Sequence, residues 1–242
     1  MGTGAELHVR LLQHTPDPDR AVAVAGRLCY APVSAADLQQ EMSDEDVAKL
    51  VRILVRSGHH SALEHATFSF AVDGVSRACT HQLVRHRVSS YNQQSQRYVN
   101  FGAADSFVVP PSISTNAEAA AVFFKAMEDA RAAYDKLVEL GLGEGRTRES
   151  VQEDARFVLP NAAETRIVVT MNARELRHFF HVRCCNRAQW EIRDLAWTMR
   201  GMLKDIAPNP VPYTHLTLPT IHSVQTSGVP RPLNKTTIKA AL

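Results

Sequence analysis

The segment Arg85–Tyr98, RHRVSSYNQQSQRY, restricts the fold more than any other part of this 242-residue chain. It contains three arginines, one histidine, three serines, one asparagine and three glutamines, and its one aliphatic residue is Val88. Because such polar side chains are rarely buried, we expect the segment to lie outside the core. Guanidinium groups match the oxygens of phosphates and carboxylates, and Ser, Asn and Gln add neutral hydrogen bonds. The segment therefore indicates a surface that binds anionic ligands.

Composition places this arginine-rich segment in an otherwise balanced chain. The formal net charge is +2, so no global positive field draws the protein to nucleic acid or membrane. No apolar run approaches the ~20 residues of a membrane span, and the N-terminus lacks the apolar core of a signal peptide. The four cysteines form no C-x-x-C pair. We expect a cytoplasmic protein in which Cys29, Cys184 and Cys185 are packing residues.

Hydrophobic periodicity predicts helices interspersed with strands. Thr165–Met171 is the most strand-like segment because of its β-branched residues. It leads into Asn172, which can cap the next helix with Glu175 as its box partner. The predicted strands are Leu7–Leu12, 67–72 and Thr165–Met171, and the predicted helices are Asp17–Tyr30, Ser43 to Gly58, Arg77 to about His86, Thr115 to Gly141, Arg148–Leu159 and Trp190–Ile206.

A histidine-rich turn, GHHSALEH at residues 58–65, separates a predicted helix from a predicted strand, a place where ligands often meet a rigid scaffold. His59 and His60 are adjacent, and His65 directly follows Glu64. Neighbouring side chains on a strand point to opposite sides, which is poor geometry for a tetrahedral metal site. We therefore expect no metal here and interpret Glu64 and His65 as a structural pair.

Eight positions of the polar segment carry a resemblance to a known family. Their pattern, R-H-R-x-x-S-x-N-x-x-S-x-R-Y, is similar to the signature of the flavin-dependent thymidylate synthases. The turn N-A-R at 172–174 and the run R-x-C-N-R-A-Q-W-E-I that begins at Arg183 resemble two further blocks of that family. The resemblance covers about residues 7–207. The matched signature positions are Arg85, His86, Arg87, Ser90, Asn92, Ser95, Arg97 and Tyr98.

This resemblance implies an α+β fold of mixed helices packed on an antiparallel-type sheet, which the predicted helices and strands support. The chain has no G-x-G-x-x-G motif, in keeping with a family whose FAD does not sit in a Rossmann fold. The implied reaction converts dUMP to dTMP. Its implied carbon donor is 5,10-methylenetetrahydrofolate, and NADPH is the implied reductant through FAD. The implied assembly is a homotetramer with shared sites, without a nucleic-acid or membrane partner.

The resemblance also implies roles for individual residues. Arg183 matches the residue that acts on the pyrimidine, where a cation aids the development of negative charge. No residue is implied to bind a metal. The residues implied to bind the cofactor are His59, Ser61, Arg85, His86, Arg87, Gln93, Asn172, Arg174 and His178. The residues implied to bind the nucleotide are Gln82, Arg85, Gln93, Gln94, Ser95, Gln96, Arg97, Arg156 and Arg183.

Two alternatives to this enzyme stay open at this point. A module that binds single-stranded nucleic acid would clamp the phosphate backbone with the arginines of the polar segment and stack bases on Tyr91 and Tyr98. A structural paralogue would keep the fold without catalysis. The near-neutral net charge weighs against the first alternative, and the matched positions in all three blocks weigh against both.

The C-terminal segment 208–242 does not match the family pattern. Prolines at positions 208, 210, 212 and 219 exclude a helix there. We predict that residues 1–207 form a single domain and that 208–242 is a disordered or foreign tail.

Overall fold

The computed structural model describes residues 4–100 and 107–211 of the chain. The strands in this part of the chain are β1 His8–His14, β2 Thr67–Ser76, β3 Ser89–Gln93 and β4 Glu164–Asn172. They form one antiparallel sheet in the order β1-β2-β4-β3. The expected α+β fold with an antiparallel sheet is therefore confirmed.

Helices connect the strands, and most of them follow a capping side chain that accepts a hydrogen bond from the first turn. Two short 3-10 helices, His60–His65 and Arg156–Val158, complete the described chain. The α-helices are α1 Pro18–Leu28, α2 Ala35–Glu41, α3 Asp44–Arg56, α4 Arg77–Leu83, α5 Pro111–Ser114, α6 Ala117–Gly143, α7 Arg148–Ala155, α8 Ala173–Arg183 and α9 Trp190–Met202.

The main core lies against one face of the two central strands, where alternate residues point inward. Phe68, Phe70 and Val72 of β2 are fully buried. The register places each of them directly opposite a buried residue of β4, in the pairs Phe68–Met171, Phe70–Val169 and Val72–Ile167. Residues of α1, α3, α4, α8 and α9 close this core.

The polar segment contains a strand that its composition did not predict. β3 pairs with β4 from Ser89 opposite Met171 to Gln93 opposite Ile167. The expectation that the whole segment lies outside the core is wrong for His86, which is 6% exposed. Its polar atoms have partners inside the fold, which removes the cost of burying them.

Several predicted helix boundaries and packing faces differ from the structure. Asn116, not Thr115, caps α6, because its side chain accepts the hydrogen bond from Ala119 N at 3.0 Å. Apolar side chains along α6 are only partly buried, with Val122 67% and Leu137 41% exposed. Within the described chain α6 packs mainly on α5, α7 and the second 3-10 helix, so few elements cover it. The sequence does not predict α2, α4 ends at Leu83 and not near His86, and α6 continues beyond the buried Gly141. Trp197 of α9 is 38% exposed. Cys29, predicted to be a packing residue, is exposed.

The start of the predicted tail packs on the domain. Asn209 Oδ1 accepts a hydrogen bond from Arg52 at 3.0 Å, and its amide donates to Asp19. Pro210 O accepts from Arg177 at 3.4 Å, and Val211 is 4% exposed. The remainder of the predicted tail, 212–242, lies outside the described residues.

These contacts lead to a prediction about truncation. A chain that stops after Ala207 loses the Asn209 hydrogen bonds and the buried Val211, and we expect its free energy of unfolding to fall by about 2–4 kcal/mol. A chain that stops after Val211 keeps these contacts, and we expect its stability to equal that of the full chain. Urea unfolding of the three proteins measures the difference. Equal stability of the two truncated chains would contradict the prediction.

Candidate active site

A cleft of about 540 Å³ lies between the first 3-10 helix and α8. β4 leads directly into α8, and Asn172 Oδ1 caps this helix by accepting from Glu175 N at 2.9 Å. A helix N-terminus favours negative charge, since its first N–H groups have no partner in the helix. The residues that line this α8 cleft are His60, Leu63, Val88, Arg174, Glu175, Arg177, His178 and His181.

Arg174 at the mouth of the α8 cleft forms an ion pair with Glu64. The predicted Glu64–His65 pair is therefore replaced by a contact between the 3-10 helix and α8. Both side chains are about half exposed, at 52% and 43%, and exposed pairs contribute only about 0–1 kcal/mol. An anionic ligand can thus replace Glu64 as the partner of Arg174 at low cost.

A chain of hydrogen bonds, buried at His86 and Glu175, joins α4, the polar segment and α8. Arg183 Nε donates to His86 Nε2 at 3.1 Å, and Arg183 Nη1 donates to Gln82 Oε1 at 3.4 Å. On the other side of the ring, His86 Nδ1 lies 3.3 Å from Glu175 Oε1. His86 and Glu175 are 6% and 7% exposed. We call Gln82, Arg183, His86 and Glu175 the Arg183 network.

The partners on the two sides of the ring together determine the tautomer of His86. A guanidinium N–H only donates, so Nε2 must accept and the ring proton must sit on Nδ1, facing Glu175. Burial, the positive charge of Arg183 and that of His178 lower the pKa of His86 from 6.5 to about 4. Burial raises the pKa of Glu175, while His178 and Arg174 oppose this increase. His86 is therefore neutral at physiological pH.

A second cleft, of about 580 Å³, lies where α4 meets the polar segment. It is lined by His81, Val84, Arg85 and Arg87, and no carboxylate is among these residues. Both arginines are exposed, and neither guanidinium group has a hydrogen bond or ion pair within residues 4–100 and 107–211. The cleft therefore presents unneutralised positive charge to solution.

A third cationic group forms around Arg77, the first residue of α4, which the sequence analysis did not select. Arg77 Nη2 donates to Gln96 Oε1 at 3.0 Å. Burial and the nearby positive charge of Arg156 lower the pKa of Arg77. Arg156 Nε donates to the carbonyl oxygen of Glu153 at 3.1 Å. The positive charge of Arg156 thus acts on Arg77, and a phosphate bound by both guanidinium groups would neutralise them.

The other residues predicted to bind the nucleotide make hydrogen bonds or ion pairs within the fold. Gln93 Nε2 donates to Thr80 Oγ1 at 3.0 Å and to Thr165 Oγ1 at 3.3 Å, so its amide is directed into the protein. Arg97 pairs with Glu153 at 3.4 Å, and its backbone N–H donates to Ser95 Oγ at 3.2 Å. Gln94 is half-buried, and its backbone N–H donates to Arg166 O at 2.9 Å.

The predicted site residues are thus distributed over four places in the single chain. Arg174, His178 and Asn172 belong to the α8 cleft, and the exposed His59 and Ser61 flank or lie on its 3-10 helix. Arg85 and Arg87 line the second cleft. The group around Arg77 and the Arg183 network complete the set. These four places share an excess of cationic hydrogen-bond donors, which suits ligands that carry several negative charges.

Two residues of this region were not selected as site residues from the sequence. Glu175 was interpreted only as a capping-box partner, yet its carboxylate contacts His86 instead of returning to the cap. Arg77 follows the cap Ser76 and lies eight residues before Arg85, which is helical spacing and is the one available signal. Of the cysteines, Cys184 is buried as expected, whereas Cys185 is partly exposed.

Residues 4–100 and 107–211 contain neither a metal-binding cluster nor a membrane-spanning helix. No group of three or more His, Cys, Asp or Glu side chains in these residues is arranged to hold a metal ion. No helix in the same residues combines the length and the apolar character needed to cross a membrane.

Comparison with known proteins identifies relatives over most of the chain. Residues 10–209 match the family described as "Thymidylate synthase complementing protein". A flavin-dependent thymidylate synthase of Geobacter sulfurreducens is 53% identical over 204 residues, 84% of each chain. One of Pyrococcus furiosus is 42% identical over 196 residues, 80% of this chain and 77% of its own. Among solved structures, the UMP/dUMP methylase PolB of Streptomyces cacaoi bound with 5-Br dUMP has a TM-score of 0.73 and 27% identity, covering 86% of this chain and 94% of PolB.

The buried, neutral His86 leads to a prediction about stability and pH. The unfolded chain binds a proton near pH 6.5, whereas folded His86 does so only near pH 4. Stability should therefore fall as the pH decreases through this window, because the unfolded state binds more protons. At about 1.4 kcal/mol per pKa unit, the effect of His86 is on the order of 3 kcal/mol. Glu175, whose pKa is raised, acts in the opposite direction.

Urea unfolding at several pH values between about 4.5 and 7 measures this effect. We expect the free energy of unfolding to depend less steeply on pH in His86→Gln than in the wild type. The exposed His65 supplies a control, and His65→Gln should keep the wild-type slope. An unchanged slope in His86→Gln would contradict the burial of a neutral imidazole.

Proposed function

Since the chain belongs to the thymidylate synthase complementing protein family, we propose that it is a flavin-dependent thymidylate synthase, an enzyme that methylates dUMP to dTMP. The observation that carries this proposal is the hydrogen-bonded network in which Arg183 of α8 meets Gln82 of α4 and His86 of the adjoining polar segment. These three residues are among those that the sequence resemblance assigns to ligands. The names of relatives at 42–53% identity over about four-fifths of the chain support the same activity.

The proposed reaction takes its carbon from 5,10-methylenetetrahydrofolate and its electrons from NADPH. The methylene carbon is at the oxidation level of formaldehyde, so two electrons and a proton are needed to form a methyl group. dUMP, methylenetetrahydrofolate, NADPH and a proton then give dTMP, tetrahydrofolate and NADP⁺. Bound FAD supplies the two-electron transfer between NADPH and the pyrimidine.

The α8 cleft has the donors that an anionic flavin dinucleotide needs. Arg174, Arg177 and His178 line it, and the N-terminus of α8 adds the positive end of a helix dipole. Arg174 is paired only with an exposed carboxylate, which a ligand can displace. These residues, with Arg85 and Arg87 of the second cleft, would bind the flavin.

Arg183 is the residue that we assign to the pyrimidine. Gln82 and His86 hold Nη1 and Nε, and Nη2 has no hydrogen-bond partner in the described chain. Because His86 is neutral, the guanidinium is the cation of this network. A cation aimed at the uracil edge stabilises the negative charge that develops there.

The group around Arg77 is suited to the phosphate of dUMP. Arg156 lies close enough to Arg77 for its positive charge to lower the pKa of Arg77, and Gln96 holds Arg77 in place. A phosphate would satisfy both guanidinium groups and remove their mutual repulsion. Ser95 and Arg97 follow in the same segment, as the resemblance requires.

We also propose that the complete site is shared between the copies of a homotetramer. In the single chain, Arg87 and Arg174 line different clefts, and the Arg77 group forms a third cluster. Apolar side chains are exposed on α6 and beside Arg156, with Val122 at 67% and Phe157 at 83%. Association through such surfaces would bury them and bring the cationic clusters of different copies together.

Reconstitution tests the proposed function, and an arginine variant tests the role of Arg183. The purified protein is mixed with FAD, NADPH, dUMP and methylenetetrahydrofolate, and dTMP is measured by chromatography. We expect dTMP from the wild type only when all four compounds are present. Arg183→Ala should keep the visible flavin absorption of the wild type but lose at least about 1,000-fold in kcat, since it removes the charge that stabilises the transition state.

Arg56→Ala, a change at an exposed arginine of α3, is the matched control and should retain wild-type kcat. If the wild type binds no flavin and forms no dTMP, the proposed function is wrong. If Arg183→Ala turns over normally, the function stands and another residue acts on the pyrimidine.

The proposed assembly has its own test. Sedimentation equilibrium should give a mass four times that of the 26.8 kDa chain. Co-expression of Arg87→Ala and Arg183→Ala, each inactive alone, should restore part of the activity, because mixed tetramers contain some sites with neither change. A monomeric mass, or no activity in the mixed protein, would argue against shared sites.

A further inference from the structure

We propose that Glu175 is a positioning residue for catalysis: through His86, its carboxylate holds Arg183 in the orientation in which the guanidinium meets the pyrimidine. This inference rests on the proposed function, because it concerns how Arg183 is made ready for the uracil ring. It assigns a role to a residue whose sequence position predicts only a capping-box partner of Asn172.

The path from Glu175 to Arg183 consists of two hydrogen bonds through one ring. Glu175 Oε1 lies 3.3 Å from His86 Nδ1, and His86 Nε2 lies 3.1 Å from Arg183 Nε. Glu175 and Arg183 stand eight residues apart on α8, so they cannot make this link without a side chain from another element. His86 supplies it from the polar segment.

The carboxylate selects the ring tautomer that Arg183 requires. With the proton on Nδ1, His86 donates to Glu175 and accepts from Arg183. The other tautomer would place an N–H of the ring against the N–H of Arg183 and would leave Nδ1 without a donor. Glu175 therefore favours the state in which Nε of Arg183 is bound, and Gln82 fixes Nη1.

The placement of Glu175 shows that its carboxylate is not needed for the helix cap. Asn172 caps α8 through the backbone N–H of Glu175. In α2 the residue at the same position, Asp37, returns its carboxylate to the cap Ser34, with 3.3 Å to Ser34 N. Glu175 instead turns its carboxylate towards His86 and is 7% exposed. Burying this group costs free energy, which the bond to His86 partly offsets.

The ring itself is held by neighbours that leave it little freedom. Phe179 packs edge-on against His86, with ring centroids 5.0 Å apart. Tyr91 Oη lies 2.8 Å from the carbonyl oxygen of His86 and 2.8 Å from that of Leu83. A ring confined in this way transmits the position of one partner to the other.

Nuclear magnetic resonance tests the tautomer without reference to activity. In the flavin-loaded protein labelled with 15N-histidine, we expect a protonated Nδ1 and an unprotonated Nε2 for His86 at neutral pH. His86→Gln identifies the signal by its loss. Glu175→Leu should produce the other tautomer or a mixture. A protonated Nε2 in the wild type, or an unchanged tautomer in Glu175→Leu, would overturn the proposal.

Kinetics of two substitutions at position 175 separate positioning from packing. Glu175→Gln keeps the shape and an acceptor oxygen, and we expect a loss in kcat of about tenfold or less. Glu175→Leu fills the space but cannot accept, and a misplaced catalytic group can cost about 100-fold. In both, KM for dUMP should change by less than about threefold. Equal kcat values for the two variants at matched thermal stability would reduce Glu175 to a packing residue.

Glu191 offers a matched control for a buried carboxylate. It is 5% exposed and accepts at 2.6 Å from both Ser76 N and Ser76 Oγ, a role in the fold alone. Glu191→Gln should lower the melting temperature while kcat stays within about twofold of the wild type. A loss in kcat as large as that of Glu175→Leu would show that any buried glutamate has this effect and would overturn the inference.

A double-mutant cycle between Glu175→Leu and His86→Gln tests the proposed path. If Glu175 acts through His86, the kcat of the double variant should be within about threefold of the kcat of the less active single variant, because both changes break the same link. Multiplication of the two losses would show that Glu175 acts by another route. Failure of the wild type to form dTMP would instead contradict the proposed function, and the tautomer would still be measurable.

Discussion

The pairing of β2 with β4 is the interaction on which the site depends. Three fully or nearly fully buried cross-strand pairs determine its register, and a shift by one residue would turn all of them to the other face of the sheet. With that register in place, β4 delivers α8 at one end of the sheet and β2 delivers α4 at the other. β3 then runs beside β4 and connects the two ends. The positions of the cationic clusters follow from these strands.

The short strand β3 explains why the polar segment serves two places. Ser89 lies opposite Met171, near the start of α8, so His86 just before the strand reaches Glu175. Gln93 lies opposite Ile167, towards the other end, so Gln96 just after the strand reaches Arg77. Ser89 and Gln93 are four residues apart, which at about 3.4 Å per residue separates the two regions by roughly 14 Å. One segment of sequence thereby supplies both the pyrimidine end and the phosphate end of the proposed nucleotide site.

The arginines differ in how the fold balances their charge. Arg174 and Arg97 pair with exposed glutamates, which ligands can displace. The guanidinium groups of Arg85 and Arg87 face solution without a partner in the described chain. Arg183 donates hydrogen bonds to a neutral imidazole and to an amide oxygen, so no carboxylate neutralises its charge directly. The negative charge of the network sits on the far side of the ring, at Glu175, where it orients the guanidinium without blocking it.

The sequence by itself determined the fold class, the central strands and the residues that resemble a flavin-dependent thymidylate synthase, because strand periodicity and signature spacing are local properties of the chain. It did not predict β3, the burial of His86, or the contacts of Arg77 and Glu175. Whether Glu175 returns to its helix cap or turns towards an imidazole depends on what stands beside α8, which is a non-local contact. Only the tertiary structure decided that, since the burial and charge partners of a side chain come from segments as far apart as residues 86 and 175.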